Sequence, residues 1–288
     1  MEKITTPQKI SFQGTLGAYS DMACRDLFPD AQTVPCSSFD DAFEAVKQGN
    51  ADVAVIPIDN SLAGRVADVH HLLPDSGLHI IGEYFLPVRH CLLATKDTTA
   101  ENLTHVHSHV HAIPQCRKFI RAHGLTPIVH ADTAGAAAEI ARRKDKTQGA
   151  IASELAAEIY NLQIIAKNLQ DANHNTTRFV ILAPEPVIQD PDHTGLMTSF
   201  IFDVRNIPAA LYKALGGFAT NNINMTKLES YVNASFNAAR FYCEVEGHPN
   251  HPAMKLALEE LAFYAKKIRI IGCFKISPAR KSLGHQAQ

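Results

Sequence analysis

The order of apolar runs changes near residue 183, and that change constrains the fold more than any single motif. Before it, short apolar runs alternate with helical patterns. Ile10-Ser11-Phe12, Ala51 to Pro57, Leu78 to Tyr84, Val88 to Ala94, Gly149-Ala150-Ile151-Ala152, Ile164-Ile165 and Phe179 to Leu182 read as strands. Helices are predicted through Met22, Ala23 and Leu27, over Ser38 to Gly49 with Ser38 as the cap, and over Gln115 to His123, Ala134 to Arg143 and Ser153 to Tyr160. This alternation predicts an α/β half with parallel sheets covered by helices. Ala183-Pro184-Glu185-Pro186 and Gln189-Asp190-Pro191-Asp192-His193-Thr194-Gly195 then read as a linker. Beyond it come a strand over Thr198 to Val204, a helix over Pro208 to Ala219, strands over Met225 to Tyr231 and Ala238 to Val245 around the turn Val232-Asn233-Ala234-Ser235, a helix over His251 to Tyr264, and a strand over Ile268 to Ile276. The βαββαβ order is the ferredoxin-like motif, and the edges of so small a sheet invite pairing with a second copy.

Composition removes several classes of function. The 288 residues suffice for about two domains. A hydrophobic fraction of 46% with 19% charged residues fits a globular chain. A net charge of −2 supplies no basic field for nucleic acid or an anionic membrane surface. No apolar run approaches the roughly 18 residues of a membrane span. Met1 to Thr6 lacks the long apolar stretch of a secretory signal. The six cysteines (Cys24, Cys36, Cys91, Cys116, Cys243 and Cys273) are scattered without a CxxC pair, as in a reduced, cytoplasmic protein. A cytoplasmic location is the expectation.

Chemistry-bearing residues gather where apolar runs end. Asn175-Thr176-Thr177-Arg178-Phe179 places a hydroxyl, a fixed cation and an aromatic together at the mouth of a buried strand. Arg178 has a planar fork of donors suited to a carboxylate, and Thr177 can donate or accept a hydrogen bond. A capped turn at the start of a strand is the plainer reading of the same pentapeptide. Ile10-Ser11-Phe12 leads into Gly14-Thr15-Leu16-Gly17-Ala18-Tyr19-Ser20, a glycine loop before a helix, where backbone N–H groups favour an anion. The GxxG spacing fits a small carboxylate better than a nucleotide, with a plain strand-to-helix turn as the alternative. The strand ending at Pro57 runs into Ile58-Asp59-Asn60-Ser61-Leu62-Ala63-Gly64-Arg65, and such strand ends hold ligands in α/β proteins. On a strand, His105, His107, His109 and His111 would share one face, a pattern that raises zinc or nickel. No acidic or cysteine partner stands at ligand spacing, so a solvated histidine face with His109 toward a ligand is preferred and no metal is expected.

Taken together, the Thr177 motif, Asp59-Asn60-Ser61, Ser108-His109 with Gln115-Cys116, Phe12-Gln13-Gly14 through Gly17-Ala18-Tyr19-Ser20, Asp132-Thr133-Ala134-Gly135-Ala136-Ala137 and the βαββαβ tail resemble the prephenate dehydratase family with a C-terminal ACT regulatory domain. The resemblance covers roughly residues 9 to 277. It implies a two-lobed catalytic half of the periplasmic-binding-protein-like (type 2) fold over 9–183, a linker over 184–196 and an ACT domain over 197–277. Lobe 1 would hold about 9–85 plus 178–183, and lobe 2 about 86–174. The implied activity is decarboxylative dehydration of prephenate to phenylpyruvate, inhibited by L-phenylalanine. Arogenate dehydratase and a non-catalytic amino-acid sensor are the alternatives.

By the same resemblance, Thr177 is the catalytic residue, and Asn60, Ser61, Arg178, Phe179, Ser108, His109, Gly17 and Ala18 bind substrate. Ala210, Leu211, Asn224, Met225, Glu229 and Ser230 would bind L-phenylalanine. No metal or organic cofactor is implied, and the expected assembly is a homodimer or a dimer of dimers. Some positions depart from the family pattern. Asp59 replaces the usual glutamate. Ser108-His109-Val110-His111 stands for Ser-His-Pro-Gln, Ala209-Ala210-Leu211 for Gly-Ala-Leu, and Glu229-Ser230-Tyr231-Val232 for Glu-Ser-Arg-Pro.

Overall fold

The computed structural model describes residues 6–205, 207–232 and 238–280. The expected turn at Asn233-Ala234-Ser235 lies outside them. The chain forms two compact units, 1–72 with 84–179 and 73–83 with 180–288.

The first sheet has the order β2-β1-β3-β11-β5 with β4 added on β3. Its strands are β1 (Lys9–Gln13), β2 (Gln32–Cys36), β3 (Val53–Asn60), β4 (Gly64–Arg65), β5 (His79–Pro87) and β11 (Thr176–Ala183). The unit boundary falls within β5 and between Phe179 and Val180 of β11. Strand β1 pairs in parallel with β2 and β3, and β4 folds back antiparallel on Asp59 and Asn60. Ile10, Phe12, Val55 and Ile56 are fully buried beneath α1 (Tyr19–Leu27) and α2 (Phe39–Lys47). Ser38 caps α2 as expected, accepting from the Asp41 amide at 3.1 Å. A short helix, α3 (Ala67–Leu72), follows β4.

A second sheet has the order β10-β6-β9-β7-β8. It comprises β6 (Cys91–Ala94), β7 (His105–His109), β8 (Thr126–His130), β9 (Gln148–Ala152) and β10 (Gln163–Ala166), with α4 (Arg117–Ala122), α5 (Thr133–Arg143) and α6 (Glu154–Ile159). It is mixed rather than parallel, because β6 runs antiparallel to both β9 and β10. Alanines 134, 136, 137, 150, 152, 156 and 157 make its α5/α6 core, and their small side chains bring helix and strand backbones close together. Both sheets of this region form the two-lobed, periplasmic-binding-like half. Strands β2 and β8 escape the sequence pattern because each lies at a sheet edge, and β8 is exposed along most of its length.

The C-terminal sheet has the order β13-β14-β12-β15 and is antiparallel in every described pairing. Its elements are β12 (Leu196–Val204), α7 (Ala210–Thr220), β13 (Met225–Val232), β14 (Ala238–Glu246), α8 (Pro252–Tyr264) and β15 (Ala265–Lys275). This is the expected ferredoxin-like order. Helix α7 starts at Ala210, so Pro208 precedes it rather than occupying its first turn. Ala209 is the N-cap in the left-handed region, φ 59° and ψ 23°. Phe218 of α7 stacks on Phe200, and Phe202 stacks on Phe241, within the core between the sheet and its helices. Each contributes about 1.5–3 kcal/mol by burial.

Within this unit the sheet's other face is covered too, by residues 73–83. A Cβ on Gly272 would lie 2.2 Å from the Ile80 carbonyl oxygen, so only glycine permits that approach. Arg269 Nη1 donates to the Pro74 carbonyl at 2.7 Å. Arg280 grips Glu83 through Nε (3.1 Å) and Nη2 (2.6 Å), and Nη2 also reaches Glu244 at 3.4 Å. The near-continuous burial of β12 follows from this two-sided cover.

Candidate active site

The ends of β3 and β11 lie side by side in the first unit. Strand alternation sends neighbouring residues to opposite faces. Asn60 and Thr177 meet on one face, where Asn60 Nδ2 donates to Thr177 Oγ1 at 3.0 Å. Asp59 and Arg178 meet on the other, with Arg178 Nη1 3.6 Å from Asp59 Oδ2 and His70 Nε2 3.9 Å from Asp59 Oδ1.

The orientation of Asn60 is fixed from behind. Its Oδ1 accepts the Leu62 and Ala63 amides at 2.9 and 2.8 Å, closing the turn before β4. Its Nδ2 therefore faces forward and donates both to Thr177 and to Asn175 Oδ1, the latter at 2.9 Å. With Oδ1 engaged, Asn175 Nδ2 donates to Gln115 Oε1 at 2.6 Å. Gln115 Oε1 also meets His90 Nε2 at 2.9 Å, and His90 Nδ1 meets the Tyr19 hydroxyl at 2.7 Å. Six side chains from both lobes thus form one continuous run. Burial lowers the pKa of His90, which holds the ring neutral, and raises the Tyr19 phenol well above its ordinary value.

Two donors remain. Thr177 Oγ1 accepts from Asn60, and its own proton has no acceptor among the described residues. The Gln115 side-chain NH₂ likewise has no partner among them, because its carbonyl takes both bonds. A bond donated to a hydroxyl oxygen stabilises the charge left when that hydroxyl gives up its proton. The arrangement suits stabilising an oxygen that gains negative charge.

The expected site residues divide accordingly. Thr177 and Asn60 come together. Arg178, only 6% exposed, lies on the face opposite Thr177 with its guanidinium beside Asp59. Phe179 is buried in the core. Ser61 ties β3 to β11: its Oγ donates to the His174 carbonyl at 2.7 Å and accepts the Thr176 amide at 2.9 Å. Ser108 is fully buried and donates to the Ile151 carbonyl at 2.6 Å, which occupies its proton. The glycine loop offers no anion cradle at Gly17 or Ala18. The Gly17 amide donates to Asp21 Oδ2 at 2.8 Å and the Ala18 amide to the Thr15 carbonyl at 3.0 Å. A Cβ on Gly17 would lie 2.9 Å from Ala156 Cα, so that glycine serves the packing of the loop on α6.

Only the first three histidines of the run lie on a strand. Strand β7 ends at His109, leaving His111 beyond it. His105 bonds Thr104 at 2.8 Å and His107 bonds Gln148 at 2.7 Å. His109 is half-buried against His111, and burial lowers its pKa. No three histidine, cysteine or acidic side chains converge among the described residues. A cavity of about 760 Å³ lined by Met22, Arg25, Glu154, Glu158 and Ile164 contains none of the six side chains of the run.

Comparison with known proteins decides the family. The prephenate dehydratase family model matches residues 10–187. The chain belongs to the prephenate dehydratase family. It is accordingly a lyase. It is 47% identical over 273 residues to a bifunctional N-acyl-homoserine lactone acylase/prephenate dehydratase of Komagataeibacter europaeus, covering 94% of this chain and 97% of that one. It is 40% identical to arogenate dehydratase/prephenate dehydratase 2 of Arabidopsis thaliana, covering 93% of this chain and 73% of that one. Among solved structures, the quorum-quenching acylase GqqA superimposes with a TM-score of 0.89 at 46% identity, covering 94% of this chain and 99% of that one. A prephenate dehydratase of Arthrobacter aurescens, solved with L-Phe, shares the fold at 24% identity, with a TM-score of 0.85 and 97% of both chains covered.

Within this prephenate dehydratase family chain, sequence reasoning passed over His90, Gln115 and Asn175 as site residues and took Tyr19 only as part of the glycine loop. Asn175 and Gln115 stood inside quoted motifs. His90 had one signal, a histidine directly before the buried run Cys91-Leu92-Leu93-Ala94, where an imidazole needs partners.

Proposed function

We propose that this chain converts prephenate to phenylpyruvate in L-phenylalanine biosynthesis. Prephenate carries two carboxylates and a ring hydroxyl. Loss of carbon dioxide sends its bonding electrons through the ring, and the hydroxyl leaves with them. The departing oxygen takes up a proton and becomes water, and aromatisation drives the reaction. Thr177 hydrogen-bonds that oxygen and Gln115 offers a second donor. Asn60 holds the threonine in place and stabilises the charge it develops. A threonine is a weak acid, so bond cleavage and proton transfer are concerted. No metal or organic cofactor enters this scheme. The observation that carries the reading is the Asn60 Nδ2 bond to Thr177 Oγ1, which leaves the threonine proton for the substrate.

The C-terminal ferredoxin-like unit is proposed as an ACT-type regulatory domain. L-phenylalanine would bind near Ala210, Leu211, Asn224, Met225, Glu229 and Ser230. The support is the left-handed turn at Ala209, the open edge of β13 and the L-Phe in the Arthrobacter structure of the same fold. A site on one open edge is exposed to water, so a two-fold partner would complete it in a homodimer or dimer of dimers. No described helix is long and apolar enough to cross a membrane, and the scattered unpaired cysteines support a cytoplasmic location. Proposed boundaries remain 9–183, with a linker over 184–196 and the regulatory domain over 197–277.

Turnover of prephenate by the purified chain, followed as phenylpyruvate, tests the main reading. Arogenate assayed beside it decides the preferred side chain. The Komagataeibacter relative's name adds hydrolysis of N-acyl-homoserine lactones as a second activity to assay. Prephenate turnover that survives chelation supports the cofactor-free scheme. Its absence with a folded protein refutes the main reading.

A further inference from the structure

We infer that His90 and Tyr19 are positioning residues: they fix the Gln115 end of the hydrogen-bond run, hold the Gln115 carbonyl toward Asn175, and thereby leave the Gln115 NH₂ as an outward donor beside the Thr177 hydroxyl. The inference rests on the proposed dehydratase reaction.

A run of amides is ambiguous in direction until something at its ends decides. At one end the decision comes from the backbone, because the Leu62 and Ala63 amides claim Asn60 Oδ1. That end sets Asn60 and Asn175. Gln115 sits at the junction, and its carbonyl must also match what His90 presents. A neutral imidazole has one donor and one acceptor. With the proton on Nε2, the ring donates to Gln115 Oε1 and accepts the Tyr19 hydroxyl at Nδ1. With the proton on Nδ1, a bare Nε2 would face the carbonyl oxygen and favour a flipped amide. The flip would set NH₂ against NH₂ at Asn175 and turn the carbonyl outward. Asn175 Nδ2, which needs the Gln115 carbonyl as its acceptor, favours the first state, and the Tyr19 hydroxyl, 2.7 Å from Nδ1 and 2.9 Å from the Arg89 carbonyl, supports that state by giving its proton to Nδ1.

The ring has little room to escape this choice. His90 is 2% exposed. Its amide donates to Gln170 Oε1 at 3.0 Å, and its carbonyl accepts the Leu169 amide at 3.0 Å. The Tyr19 ring meets it edge-on at 5.4 Å, and the Tyr19 hydroxyl is also 2.9 Å from the Arg89 carbonyl. Tyr19 opens α1 directly after the glycine loop, so packing of that loop on α6 sets where its hydroxyl stands.

The test combines kinetics with a tautomer measurement on the full chain. Long-range ¹H–¹⁵N correlation should show the His90 proton on Nε2 in the wild type and a mixture in Tyr19→Phe. With prephenate, Tyr19→Phe should lower kcat by about tenfold with KM little changed, the loss expected for one positioning bond. His90→Leu should cost more, and His90→Gln, which returns an N–H near the Nε2 position, should recover much of it. A purely packing role would not produce that recovery or the kcat-against-KM split. A wild-type ring protonated on Nδ1 would overturn the inference, as would folded Tyr19→Phe and His90→Leu proteins with unchanged kcat. If the wild type does not turn over prephenate, the proposed reaction fails, and the tautomer measurement still decides the direction of the run.

Discussion

The Thr177 region and the β13 region differ in how much of each site one chain supplies. Around Thr177, side chains from both lobes interlock, and backbone amides at Leu62 and Ala63 fix the orientation of Asn60 at one end of the run. Along β13, half-buried Met225, Lys227 and Glu229 alternate with exposed Thr226, Leu228 and Ser230 on an edge strand. The first region is preorganised, as bond breaking requires, because donors must stand in place before charge develops. The second is open, as the proposed effector recognition with a second copy would require. The same chain places rigidity where the chemistry is proposed and an incomplete surface where regulation is proposed.

The largest expected effect separates the two faces of β11. Arg178→Ala leaves Asp59 without its buried cation. Breaking a buried pair costs about 3–5 kcal/mol, and the partial exposure of Asp59 puts this pair near the lower end. A denaturant titration should show that loss while KM of the remaining folded enzyme stays near wild type. A stable Arg178→Ala enzyme with a strongly raised KM would place the guanidinium back on the substrate.

The next effect sharpens the open side of the comparison. Ser230→Ala or Asn224→Ala should weaken inhibition by L-phenylalanine by about fivefold or more while basal turnover is kept. Reciprocity requires that prephenate weaken phenylalanine binding by the same factor with which phenylalanine weakens prephenate binding. Calorimetry showing no phenylalanine binding to the wild type would leave the C-terminal unit as an assembly module. Light scattering that shows a monomer at micromolar concentration would remove the proposed partner.

The smallest effect lies at Ala209. Its φ of 59° costs a side-chain-bearing residue on the order of 1 kcal/mol, which glycine avoids. Ala209→Gly should raise stability by about that amount, read as a shift in the denaturation midpoint. A destabilised variant would mean that the methyl packs against something that offsets the strain.

Much of this architecture was legible in the sequence. The ferredoxin-like order followed from periodicity, and Thr177 and Asn60 each stood out as polar residues at a strand end, although their hydrogen bond did not. Edge strands β2 and β8 were not legible, since strands buried on neither face carry no apolar signature. The facing of Arg178 toward Asp59 was not legible, because a motif lists neighbours in the chain, whereas a strand sends them to opposite faces. Tyr19, His90 and Gln115 were missed as a group because their meaning is relational. Each is an ordinary polar residue until folding brings three distant segments within hydrogen-bond range.

The central claim is that the hydroxyl proton of Thr177 is held ready for the leaving oxygen. Steady-state kinetics on prephenate with Thr177→Ala and Thr177→Ser test it most directly. Thr177→Ala should lose about a hundred- to a thousandfold in kcat with little change in KM, as for removal of one transition-state donor. Thr177→Ser keeps the hydroxyl and should retain a substantial part of the activity. A folded Thr177→Ala enzyme within about threefold of wild-type kcat, far short of that loss, would contradict the account and assign hydroxide departure to another group.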